Sequence, residues 1–177
     1  MIDILSFEEV ERHKTLIPEP SIKRVAIDYG EAGAWKRTWM YLTMPNQFMI
    51  DKDWKFTLPN GQKAEIREGF VYDGASIPFF VRPFITAFGP LNRSGGIHDY
   101  GYRFGHLRDW EGNKIFVDKP RKFWDDSFRD IGAYTSHLKG LAEITWAAVR
   151  SFGSIPWKKH RKNNLTDDYL YPDKKGE

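Results

Sequence analysis

The chain of 177 residues contains no cysteine. This absence excludes a disulfide scaffold and a zinc site built from thiolates, and it favours a reducing compartment, such as a host cytoplasm, or the interior of a virion. Its apolar runs also fall short of the roughly 20 residues that a membrane-spanning helix needs. We therefore predict no transmembrane segment, and residues 1–12 lack the basic and apolar regions of a secretory signal peptide.

Charge of one sign is also scarce. The 27 basic and 24 acidic residues leave a net charge of only +3, so we predict no specific binding of nucleic acid. Apolar side chains, in contrast, make up 41% of the residues, and 16% of the residues are aromatic. A chain of this length and composition is expected to fold as one domain around a single core.

Extended segments dominate the first 72 residues. The Ser6 to Glu9 segment has the pattern of a capping box and predicts a short helix over residues 7–14. Asn60-Gly61 stands between two alternating segments, which is a strong hairpin signal. Runs of strand-forming residues predict strands at 24–29, 38–43, 54–58 and 63–71. The sum is a small antiparallel sheet.

Helical patterns dominate the rest of the chain. We predict a first helix that begins near Ile97 and carries His98, a second over residues 121–134 and a third over 138–152. The fold class is therefore α+β, with the sheet first and the helices after it. We divide the single folded domain into an N-terminal helix and sheet (1–72), a helical core (73–153) and a basic polar tail (154–177). We expect the chain from Lys158 onward to be mobile.

His98 and Asp99 carry the clearest chemical signal. Tyr102 lies four residues after His98 and so shares its helix face, whereas Asp99 points about 100° away from it. If the first two predicted helices run antiparallel, Asp125 of the second meets the imidazole. A carboxylate on one ring nitrogen fixes the tautomer and leaves the other nitrogen free as a general base.

Asp73 and Asp99 supply oxygen ligands. Without cysteines or clustered histidines, such ligands favour a hard cation such as Ca²⁺ or Mg²⁺. Gly74 allows the backbone to turn so that a carbonyl also faces the ion. A cation beside a histidine base would polarise an ester carbonyl. Each motif alone also has a structural explanation, namely a turn at Asp73-Gly74 and a charged helix start at Asp125.

Four segments together resemble known families: Asp-Gly-Ala-Ser-Ile-Pro at 73–78, His-Asp-Tyr-Gly-Tyr at 98–102, Asp-Asp-Ser-Phe at 125–128 and Ala-Val-Arg-Ser-Phe-Gly at 148–153. Their order resembles an uncharacterised family of phage and bacterial proteins. It also resembles the secreted phospholipases A2, above all their bacterial and fungal branch. The resemblance covers residues 73–153, although the secreted enzymes carry disulfides and this chain has none.

The phospholipase A2 resemblance implies a core of about three helices and a calcium-dependent ester hydrolase. His98 would activate water, Asp125 would orient His98, and Tyr102 would hydrogen-bond Asp125. The Ca²⁺ ligands would be Asp73, the Gly74 carbonyl and Asp99. The substrate would be a phospholipid or another ester.

Two other functions stay open at this point. The protein could be a non-catalytic phage component of the virion or tail, or an inhibitor of a host protein, on the same scaffold. It could instead be a hydrolase that degrades the cell envelope.

Overall fold

The computed structural model of this protein describes residues 16–25, 33–35, 47–72 and 91–172. Several predicted features lie outside these residues: the helix at 7–14, the strand at 38–43, most of the strand at 24–29, and both Asp73 and Gly74.

Two antiparallel sheets are formed by short strands. The first sheet has the order β1-β2-β5 and the second the order β3-β4-β6-β7. The strands are β1 (Ile22–Arg24), β2 (Phe48–Ile50), β3 (Trp54–Thr57), β4 (Lys63–Ile66), β5 (Val71–Tyr72), β6 (Leu107–Arg108) and β7 (Lys114–Ile115). Because β6 and β7 follow a helix in the chain, the second sheet joins the two halves of the sequence.

The hairpin predicted at Asn60-Gly61 is confirmed. Strands β3 and β4 pair antiparallel around it, with Trp54 opposite Ile66. The Leu58 amide donates to the Gln62 carbonyl at 2.8 Å, and Gly61 takes a φ of 84°, which favours glycine. The predicted return strand at 63–71 is wrong in its length, since the chain leaves the second sheet after Ile66 and β5 pairs with β2 in the first sheet.

Four helices lie within the described residues: α1 (Asn92–Phe104), α2 (Arg121–Ser136), α3 (Lys139–Phe152) and α4 (Ser154–Asn163). The α+β class and the order of a sheet before helices are confirmed. Helices α2 and α3 agree with the predicted bounds to within two residues. Over the described residues, no helix has the length and apolar composition to cross a bilayer.

Helix α1 is the central element of the fold and is almost entirely buried. It begins five residues before the predicted start near Ile97, because Gly95-Gly96 reads as a loop signal in the sequence. In the structure these glycines allow a close approach instead. A Cβ on Gly96 would lie 3.3 Å from the ring of Trp54 in β3. Helix α1 therefore rests directly on the sheet.

A second close approach joins α1 to α2 at Gly101. A Cβ added there would lie 2.1 Å from the ring of Trp124, which is fully buried. We expect Gly101→Ala to lower the free energy of unfolding by about 1–3 kcal/mol or more, because the buried indole has no room to move aside. Urea denaturation measures this loss.

Gly140→Ala is the matched control, since a Cβ at Gly140 meets nothing within 4 Å. That change should stabilise helix α3 by about 0.5–1 kcal/mol. Equal effects of the two substitutions would show that helix propensity, and not the packing of Trp124, determines the result.

The C-terminal segment is folded through residue 172, whereas the sequence predicts a mobile tail from Lys158 onward. Residues 154–163 form α4, and a 3-10 helix follows at Asp168–Leu170. Leu170 and Tyr171 belong to the main hydrophobic core. Residues 109–120, between the first two predicted helices, contain β7.

Candidate functional site

His98 lies on the face of α1 that is turned toward α2. Its ring is 4.0 Å from that of Tyr102, one turn later, and 5.4 Å from that of Phe128 in α2 (centroid distances). Only 7% of the histidine is exposed. These two rings hold the imidazole in place, and His98 and Tyr102 share a helix face, as their spacing of four residues predicts.

Two carboxylates flank this imidazole. Nε2 lies 3.4 Å from Oδ1 of Asp125, and Nδ1 lies 3.4 Å from Oδ1 of Asp99. Burial alone lowers the pKa of His98, but hydrogen bonds to Asp125 and then Asp99 outweigh burial, so its pKa is raised above the ordinary value. The protein environment therefore stabilises positive charge on His98.

Asp125 lies behind His98 and is fully buried. Its Oδ1 accepts the Tyr102 hydroxyl, and its Oδ2 accepts Nη1 of Arg150 at 2.6 Å. Burial opposes the charged form of this carboxyl, but the donated hydrogen bonds, that of His98 foremost, hold the pKa of Asp125 below its ordinary value. The carboxylate is thus ionised and fixed in orientation.

Asp126 does not contact His98. It accepts Nζ of Lys122 at 2.5 Å and the indole N–H of Trp146 at 3.0 Å, about 100° around α2 from Asp125. Of the two adjacent acidic residues, Asp125 is therefore the one that lies against the histidine.

Arg150 is a member of the site that sequence reasoning missed. It lies in the last turn of α3, within the Ala148 to Gly153 segment, for which no chemistry was evident. Arg121 of α2 fixes it, since both terminal nitrogens of Arg121 donate to the Arg150 carbonyl at 3.1 Å. A Cβ on Gly153 would lie 2.6 Å from the Tyr102 hydroxyl oxygen. The available signal was that this segment is one of the four that carry the family resemblance, together with the acidic segment at 125–128.

A cleft of about 370 Å³ opens in front of His98. Asp99 lines it and keeps 11% of its side chain exposed. Helix α4 forms another wall through Pro156, Lys159 and His160. The cleft is large enough for a small polar group and brings it against both the imidazole and the Asp99 carboxylate.

Of the three predicted metal ligands, Asp99 is described, and Asp73 and Gly74 lie outside the described residues. Tyr72, the residue before Asp73, packs its ring against Gly96 of α1. Burial first, and then the charge of Asp99, raises the pKa of this phenol. Strand β5 thus ends near Asp99. Within the described ranges, no group of three or more histidine or acidic side chains is close enough to hold a metal.

Comparisons with known proteins place the chain in a family. No curated protein and no solved structure matches it significantly. The profile of one family matches residues 48–149, a segment that contains all six predicted site residues but neither Arg150 nor α4. This agrees with the expected uncharacterised family, whereas the resemblance to phospholipases A2 stays a prediction. The chain belongs to the family described as "Protein of unknown function (DUF1353)".

Proposed function

We propose that this protein is a calcium-dependent ester hydrolase that works in the manner of a phospholipase A2. The observation that carries the proposal is the position of His98, held between the buried Asp125 and the cleft-lining Asp99. A histidine with one carboxylate behind it and a second carboxylate in an open cleft is the arrangement that general-base catalysis beside a cation requires.

His98 is the general base of this proposal. In the neutral form of His98, which is the form that acts as a base, the Nε2–H group donates a hydrogen bond to Asp125. The lone pair is then on Nδ1, on the side of Asp99. Nδ1 takes a proton from water, the water oxygen bonds to the ester carbonyl carbon, and the C–O bond to the alcohol then breaks. The imidazolium returns its proton to the departing alcohol, which leaves an acid and an alcohol.

Asp125, Tyr102 and Arg150 are positioning residues. They act on the substrate only through His98, because Asp125 is fully buried behind it. The Tyr102 hydroxyl and the Arg150 guanidinium occupy the other acceptor positions of Asp125. This leaves the carboxylate one orientation, in which Oδ1 faces the imidazole.

Asp99 is the cation ligand of this proposal, with the Asp73 carboxylate and the Gly74 carbonyl as its partners. Carboxylate and carbonyl oxygens are the donors that Ca²⁺ prefers. Asp99 fits this role, since its carboxylate lines the cleft next to the base. A bound Ca²⁺ supplies positive charge that stabilises the oxyanion of the ester.

Calorimetric titration of Ca²⁺ into the purified protein tests this assignment. We expect a dissociation constant at or below about 1 mM, and we expect Asp99→Asn to raise it at least about tenfold, because a charged ligand is lost. Asp126→Asn is the matched control, because this carboxylate pairs with Lys122 and does not line the cleft, and it should leave binding unchanged.

Two results would contradict the proposal. One is no heat of binding at millimolar Ca²⁺, which would favour the non-catalytic alternative on the same scaffold. The other is binding that Asp99→Asn leaves intact, which would move the cation elsewhere. If binding behaves as expected, hydrolysis of a short-chain phospholipid with and without Ca²⁺ follows as the test of the reaction.

A further inference from the structure

Helix α4 is fixed on α1 by specific contacts. Nη2 of Arg161 donates to the backbone carbonyls of Tyr102 and Arg103, both at 2.8 Å. These are carbonyls at the C-terminal end of α1, where a cation is favoured. The ring of Trp157 packs edge-on against Tyr102, with centroids 5.2 Å apart. Arg161 and Trp157 together set which residues of α4 face the cleft.

The residues that α4 turns toward the cleft carry nitrogen donors. Lys159 and His160 line it, and Arg103 of α1 lines it one turn after Asp99. Within the described part of the chain, Nδ1 of His160 is buried and has no hydrogen-bond partner. Asp99 is the one carboxylate among the described residues that line this cleft. The described wall is therefore cationic opposite a single acidic group.

We propose that Arg103, Lys159 and His160 form an anion-binding subsite that holds a phosphate group of the ligand occupying this cleft. The subsite rests on the proposed function only if the ligand in the cleft is taken to be the ester substrate. Helix α4 lies outside the matched family segment, which ends at residue 149. Lys159 and His160 thus lie beyond the matched segment, whereas Arg103 lies within it.

The chemistry favours phosphate over a single carboxylate. Three donors of different shape come from two helices, and a tetrahedral group with several acceptor oxygens can accept from all of them at once. The position of Arg103 is also restrained, because its guanidinium carbon lies 5.1 Å from the centre of the Phe70 ring, within the range of a cation–π contact. Burial and the charge of Arg103 lower the pKa of His160, so the imidazole supplies a neutral N–H.

The first experiment maps inorganic phosphate binding by NMR of the histidine side chains. We expect the resonances of His160 to shift with phosphate, with those of the buried His106 unchanged. Lys159→Gln and Arg103→Gln should each raise the dissociation constant for phosphate about fivefold. Lys162→Gln is the matched control, because it removes the same charge from an exposed position of α4 that does not line the cleft.

A second arm separates the two sources of a phosphate group. Vesicles that contain phosphatidylglycerol present it on a lipid surface, whereas inorganic phosphate presents it free. Binding that depends on Lys159 with either probe supports the proposal and identifies the source. The proposal is overturned if neither probe depends on Lys159 and Arg103, or if Lys162→Gln weakens binding as much as Lys159→Gln does.

This result is independent of turnover. His98→Ala protein should bind phosphate like the wild type, since His98 is not part of the subsite. A protein that binds phosphate through Lys159 but hydrolyses no ester would refute the proposed function and leave the subsite standing. A protein that hydrolyses the ester but whose phosphate binding does not depend on Lys159 would refute the subsite and leave the proposed function standing.

Discussion

Replacing Asp167 with alanine should lower the free energy of unfolding by about 3–5 kcal/mol, because it leaves a buried guanidinium without its counter-ion. Asp167 is fully buried and receives Nε and Nη2 of Arg108, both at 2.7 Å. Nε2 of His106 at 3.0 Å and the Tyr100 hydroxyl at 2.5 Å complete its contacts. Urea denaturation followed by circular dichroism measures the loss.

Asp168 provides the control, because its side chain is 52% exposed and lies 3.4 Å from the same arginine. Asp168→Asn should cost less than about 1 kcal/mol, as expected for an exposed ion pair. Similar losses in the two variants would show that the buried network is not what holds the C-terminal segment.

The pH dependence of this effect has a definite sign. Burial opposes ionisation of Asp167, but its hydrogen bonds, that of Arg108 foremost, hold its pKa well below the ordinary 3.8. A carboxyl with a depressed pKa in the folded state stabilises the protein above the unfolded-state pKa and loses that contribution as the pH falls. The difference between wild type and Asp167→Asn should therefore be constant at neutral pH and shrink below about pH 4. A difference that stays constant down to pH 3 would contradict this assignment.

Replacing His98 with alanine should lower the rate of calcium-dependent ester hydrolysis by about 10²–10⁴-fold, because the general base is lost. The rate is measured with saturating Ca²⁺ on a short-chain phospholipid, at a temperature where unfolding curves show both proteins folded. Calcium affinity should change little, since Asp99 remains.

His137→Asn is the matched control for removal of an imidazole. His137 follows α2 with a φ of 59°, a conformation that asparagine tolerates well. It should leave the rate unchanged. Full activity in His98→Ala would end the mechanism proposed here.

Local signals in the sequence predicted local structure well. Asn60-Gly61 encodes its hairpin through turn chemistry alone, and the spacing of His98 and Tyr102 predicts their shared helix face. The start of α1 was predicted too late, because a glycine pair weakens a helical pattern whether it marks a loop or a close contact. Only the tertiary structure shows that Gly96 lies against Trp54.

Helix α4 and the Asp167 network could not be predicted in the same way. The Lys158 to Lys162 run has no apolar stripe, so hydrophobic periodicity gives no reason for it to pack. Its anchors are polar contacts to distant residues: Arg161 binds carbonyls about 60 residues earlier in the chain, and Asp167 binds Arg108. Such contacts leave no local pattern. The same holds for Arg150, whose partner Asp125 is 25 residues away.

The position of Asp167 in the chain also has a consequence for biosynthesis. Its three partners, Tyr100, His106 and Arg108, precede it by 59–67 residues. During translation the ribosome releases them well before their carboxylate, and domains generally fold as units as the chain emerges. The nascent chain therefore completes this network only after Asp167 has been made, and one segment, residues 154–167, supplies both a wall of the cleft and the carboxylate of the network.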